Sequence, residues 1–180
     1  MIKYFVIALL AAGALLRFWG MDYGLPFPLV SDEEVMLGGA LKMLEIRSLV
    51  PALHPEAMSI LYYPLALPYL YLILMTPVIA GVYVLNGFPA VDIFGLIVLD
   101  NLAPVWLVAR LSSVVMSTVT LYVIYRLGTM LFRSRLAGLV AASLITFDYL
   151  HVMLAHVARH WSATVLLIWV AAWLSARYFE

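Results

Sequence analysis

Apolar residues along this chain gather into long runs separated by short polar breaks. A helix needs about 20 mostly apolar residues to cross the hydrocarbon of a bilayer. Four stretches meet that requirement: 2–19, 104–125, 136–155 and 161–177. A fifth run, 61–85, is long enough, but Pro64, Pro68 and Pro77 each remove a backbone donor and bend a helix. A shorter helix is predicted over 32–46, where Ser31-Asp32-Glu33-Glu34 opens an apolar stretch.

Lys and Arg accumulate on cytoplasmic loops close to helix ends, which orients the spans. The densest basic cluster is Arg126, Arg133 and Arg135. With Lys3 inside, the first helix runs outward, and that cluster falls inside only if 61–85 does not fully cross. Arg177 then falls inside as well. The run 61–85 is therefore read as a juxtamembrane or re-entrant helix in the outer leaflet rather than a full span. The consequence is a large outer loop, 20–103, holding eight of the ten acidic residues.

Composition agrees with a lipid solvent. Hydrophobic residues make up 66% of the 180 and charged residues 11%, against about 45–50% and about 25% in soluble domains. The fold class is all-α: a multi-pass transmembrane helical protein whose outer loop carries juxtamembrane helices, organised as one membrane domain over 1–180. The first run follows Lys3 and ends in small residues, as a secretory signal would. It lacks a clear A-x-A cleavage site, Arg17 closes it, and further spans follow, so it is read as an uncleaved anchor. Ten Lys and Arg balance ten Asp and Glu, and the basic clustering of a nucleic-acid binder is missing. The chain has no cysteine, which excludes disulfides, thiolate metal sites and cysteine nucleophiles. A divalent metal would have to use His or carboxylate. Asn86 and Asn101 are not in N-x-S/T sequons.

Three groups of residues could carry chemistry. Ser31 to Glu34 reads as a capping box, with Ser31 as cap, Glu34 reaching back, and Asp32 and Glu33 at the positive end of the helix dipole. The same geometry sets two carboxylates just above the membrane, where a general base would meet a lipid-linked substrate. His156 and His160 would share a face on a continuous helix, as a metal-ligand pair requires. With Arg159 beside them they could instead bind a phosphate, or snorkel to water. Asp148 lies inside an apolar run, where an ionisable group is a functional candidate and His151 its nearest partner. Arg17 and Arg110 are explained as interface anchors, and Tyr62, Tyr63, Tyr69 and Tyr71 as an aromatic belt.

The segment Arg17-Phe-Trp-Gly-Met-Asp-Tyr-Gly-Leu-Pro-Phe-Pro-Leu-Val-Ser-Asp32-Glu33, with Ala40 beyond it, resembles the GT-C glycosyltransferases. It is most similar to the branch of protein mannosyltransferases and lipid A aminoarabinose transferases. His54-Pro-Glu56 and Leu61-Tyr-Tyr-Pro64-Leu resemble that family's juxtamembrane segment, and Arg110-Leu-Ser-Ser the start of its second span. Tyr125-Arg-Leu-Gly-Thr-Met-Leu-Phe132, Ala137-Gly-Leu-Val-Ala-Ala142 and His156-Val-Ala-Arg159 follow in the same order. The resemblance covers nearly the whole chain.

It implies an enzyme of the cytoplasmic membrane that works on the extracytoplasmic face. Sugar would pass, with inversion, from a polyprenyl-phosphate donor to a lipid, glycan or protein acceptor. Asp32 would be the general base, with Glu33 beside it, and Glu56, Tyr63, His156, Arg159 and His160 would contact substrate. Many relatives carry a second acid after the Arg of the outer loop that follows the third span, where this chain has His160 and Trp161. The family also continues through many more spans, whereas this chain stops directly after an apolar helix. It is therefore expected to be the first third of an enzyme. A transporter or channel component, or a non-catalytic assembly subunit, are the readings from other classes.

Overall fold

The computed structural model describes residues 2–25, 27, 29–55, 65–88 and 102–179, with backbone alone at Ser31. Every regular element among the described residues is a helix. In chain order they are α1 (Ile2–Phe18), α2 (Ser31–Glu45), a single 3-10 turn (Pro51–Leu53), α3 (Ala66–Leu85), α4 (Leu102–Leu131), α5 (Arg135–Thr146), α6 (Tyr149–Ala155) and α7 (His160–Tyr178). The residues form two compact units. One comprises Met1–Met21 with Arg110–Glu180, the other Asp22–Ala109.

By length and apolarity, α3 and α4 could each cross a membrane. A third crossing is added if α5 and α6 count as one broken span. α3 is continuous through its prolines. Pro68 stands in the first turn, where the missing N–H would have had no intrahelical partner, and Pro77 in the interior deprives only the Ile73 carbonyl of its usual donor. The run read as juxtamembrane or re-entrant therefore holds an unbroken 20-residue helix with the dimensions of a span. The predicted span 136–155 is not continuous, since α5 and α6 meet at a bend of 65° across Phe147 and Asp148.

In the Asp22–Ala109 unit, α2 packs on α3. Met36, Leu37, Ala40 and Met43 recur on one side of α2, and Leu67, Tyr71, Leu72 and Met75 on one side of α3; all are buried. These are the i, i+3, i+4 rows that helices present to one another. Glycine at position 39 lets the helices close in, because a Cβ there would lie 3.2 Å from Pro68 Cγ. Tyr69 ties the following loop to the pair by donating its hydroxyl to the Leu49 carbonyl at 2.6 Å.

In the other unit, α1 packs against α5 and α6, and α6 against α7. α4 and α5 cross at two glycines. A Cβ on Gly128 would lie 3.1 Å from Gly138 Cα, and one on Gly138 would strike the Thr129 hydroxyl and come within 2.5 Å of the Tyr125 carbonyl oxygen. Small residues at such crossings let backbones approach where lipid supplies no hydrophobic drive between helices.

Candidate functional site

The start of α2 is built differently from the predicted capping box. The cap position is Val30 rather than Ser31, and it makes no side-chain hydrogen bond. Instead Glu33 reaches back, its Oε2 accepting from the Leu29 amide at 2.8 Å while its own amide donates to the Val30 carbonyl at 2.9 Å. Glu33 is completely buried, Asp32 partly exposed, and Glu34 exposed. A carboxylate that accepts a backbone N–H at a helix N-terminus satisfies an orphan donor and sits at the favourable end of the dipole. Glu33 thus fixes the turn, and Asp32 beside it keeps access to solvent.

The paired-histidine expectation fails for a local reason. His156 caps the C-terminus of α6 and His160 begins α7, with 157–159 non-helical between them. The continuous helix that would put both imidazoles on one face is absent, and among the described residues no group of three or more His, Cys, Asp or Glu could hold a metal ion. Arg159 adopts extended backbone as the cap of α7 and lies buried, its guanidinium carbon 3.9 Å from the Trp161 ring centroid. Burial pushes the His156 imidazole below its ordinary pKa. Hydrogen bonding to the Leu16 and Arg17 backbone opposes the shift, and the Arg17 and Arg110 charges reinforce it. Its Nε2 is buried and has no hydrogen-bond partner among the described residues.

The most developed polar arrangement involves a residue that sequence reasoning read as a surface anchor. Arg17 is completely buried. Its Nε donates to Ser117 Oγ at 2.8 Å, Nη1 to the Gly13 and Thr146 carbonyls at 2.9 and 3.4 Å, and Nη2 to the Ile145 carbonyl at 3.2 Å. Nη2 also meets His151 Nδ1 at 2.8 Å, and Ser117 Oγ lies 3.2 Å from the same nitrogen. A guanidinium can only donate, so Nδ1 accepts and the neutral ring carries its proton on Nε2.

This network accounts for the break in the third apolar run. Where α5 ends, its last carbonyls lose their intrahelical donors, and Arg17 supplies them at the negative end of the helix dipole. Asp148 then starts α6 by accepting from the His151 amide at 3.0 Å. Asp148 is exposed, and its partner within α6 is the His151 backbone rather than the imidazole. Arg110, also completely buried, donates to the Met21 carbonyl at 3.0 Å. Both arginines expected to snorkel are interior groups. An arginine closing an apolar run reads alike in either case; the available signal was Asp148, a strong cap former inside a run otherwise fit to cross.

Asp32 and Glu33 lie together in the first turn of α2, while His156 and Arg159 flank the α6–α7 connector and His160 opens α7. Glu56 and Tyr63 lie outside the described residues. Compared with known proteins, the chain matches no family model, no curated protein and no solved structure.

Proposed function

We propose that the chain belongs to a multi-pass membrane glycosyltransferase that moves a sugar from a polyprenyl-phosphate donor to an acceptor on the extracytoplasmic face, with inversion. The observation that carries this reading is the division of roles at the start of α2. Glu33 is locked to the Leu29 amide while Asp32, one residue earlier, retains solvent access. A general base needs a well-placed backbone and access from solvent, and these two features of the turn support the assignment of Asp32.

In the proposed reaction an Asp32 oxygen takes the proton of the acceptor hydroxyl as that oxygen attacks the anomeric carbon. The bond from that carbon to the donor phosphate breaks, and the phosphate leaves with its electron pair. A cationic group would stabilise that charge. Asp32→Asn keeps shape but removes basicity. In membranes carrying the protein, transfer from a labelled polyprenyl-phosphate sugar should fall on the order of 100-fold with melting temperature preserved. Near-normal transfer by a stable Asp32→Asn protein would remove Asp32 from the role.

A transporter is the second reading, favoured by the 65° break at α5 and α6 with a buried arginine on the freed carbonyls. Solute flux in proteoliposomes without any sugar transfer would select it.

A further inference from the structure

We propose that the arginine-lined cleft at the α4–α5 turn binds a phosphate group, independently of the transfer reaction above. The end of α4, the start of α5 and the last turns of α7 form an open cleft of about 500 Å³ lined by Arg126, Arg133, Arg135, Arg177, Trp173 and Thr129. That volume falls in the range of small-ligand sites, about 300–1,000 Å³. Among the described residues no carboxylate forms a salt bridge to any of the four arginines. Four neighbouring guanidinium groups repel one another, so the cleft is a place where a bound anion relieves an existing cost.

Three features prepare it. Arg126 is held in place, donating from Nη1 to the Tyr122 hydroxyl at 2.9 Å with its guanidinium carbon 5.5 Å from the Trp173 ring centroid. Arg133 occupies the turn with a φ of 48°, a left-handed conformation that costs a non-glycine residue stability. α5 opens at Arg135 with no acidic residue in its first turn, so the positive end of its dipole adds to the arginine field rather than being neutralised. Guanidinium forks match phosphate oxygens in pairs, which favours phosphate over a simple halide.

The rim indicates where the phosphate comes from. Leu131, Phe132 and Leu136 flank the arginines and are 61%, 71% and 62% exposed. A basic pocket with an apolar rim fits the headgroup of an acidic phospholipid, whose acyl chains would cover those side chains. A soluble polyphosphate shares the headgroup chemistry but would leave the rim bare.

The purified chain in neutral detergent would be titrated with short-chain phosphatidylglycerol, short-chain phosphatidylcholine and inorganic pyrophosphate. Phosphatidylglycerol is expected to bind more tightly than phosphatidylcholine, and Arg133→Gln with Arg177→Gln to weaken it about 10- to 30-fold. Lys42→Gln with Arg47→Gln removes the same charge outside the cleft and should change affinity by about two-fold at most. Preferred binding of pyrophosphate with the same arginine dependence would uphold the phosphate site and assign it to a soluble ligand. Equal affinity for the two lipids with no binding of pyrophosphate, or equal weakening by the two double variants, would overturn it. Should the cleft variant fail to fold, the wild-type chain gives the answer. Phosphatidylglycerol or pyrophosphate should protect Arg133 and Arg177 from phenylglyoxal, and unprotected modification of both counts against the site.

Discussion

Neighbouring carboxylates at the start of α2 have opposite surroundings, and this separates their roles. Removing the Glu33 carboxylate deletes its part-buried hydrogen bond from the Leu29 amide, and a hydrogen bond to a charged group contributes about 1.5–3 kcal/mol. Glu33→Ala should therefore lower stability by that amount. Asp32→Ala should cost under about 1 kcal/mol, the scale of a partly exposed charge near a helix dipole. Chemical denaturation of the two variants in detergent checks this, and equal losses would show that Glu33 does not anchor the turn. At this scale the sequence was legible in part. The run Ser31 to Glu34 marked a helix start within one residue of the observed one, but capping statistics could not say which acid turns inward. The burial of Arg17 was illegible, since its partners at Ser117, Ile145, Thr146 and His151 come from distant helices.

Helix crossings depend on which atoms face each glycine. At Gly138 an added Cβ meets backbone of α4, which cannot turn aside as a side chain can, whereas at Gly81 in α3 it meets nothing within 4 Å. Gly138→Ala should accordingly destabilise by about 1–3 kcal/mol through overpacking. Gly81→Ala should be neutral or gain roughly 0.5–1 kcal/mol from the helix propensity of alanine. Melting temperatures of the two variants moving together would contradict the close crossing. Helix positions were otherwise well anticipated. The runs 2–19 and 161–177 correspond to α1 and α7, and 104–125 lies within the longer α4. Two proline and aspartate effects were misjudged. Interior Pro77 does not interrupt α3, because a helix loses one hydrogen bond there and keeps its neighbours. Asp148 does interrupt the third run, because its side chain caps α6 while Arg17 takes up the carbonyls left behind.

For the whole molecule, the natural absence of cysteine makes sidedness measurable without background labelling. Glu33 and Arg159 are too buried to report, so single cysteines belong at exposed Glu34 and Glu45 for the proposed outer face and at exposed Arg133 and Arg177 for the inner one. An impermeant thiol reagent added outside intact cells should label the first pair and spare the second. Labelling at 133 would instead make α3 a full crossing. One further consequence concerns time. Arg17 contacts the carbonyl of Ile145 across 128 positions of sequence, and translation at about 5–20 residues per second separates the two by roughly 6–26 s. For that interval the newborn α1 carries a guanidinium whose eventual hosts on α5 and α6 do not yet exist, so its end must wait at the aqueous boundary and be drawn inward as the later helices arrive. On ribosome-tethered chains ending at Ser134, Arg17 should react with a water-borne arginine reagent, and in the finished chain it should be silent. Equal silence in both would mean that the charge is sheltered from the moment of its synthesis.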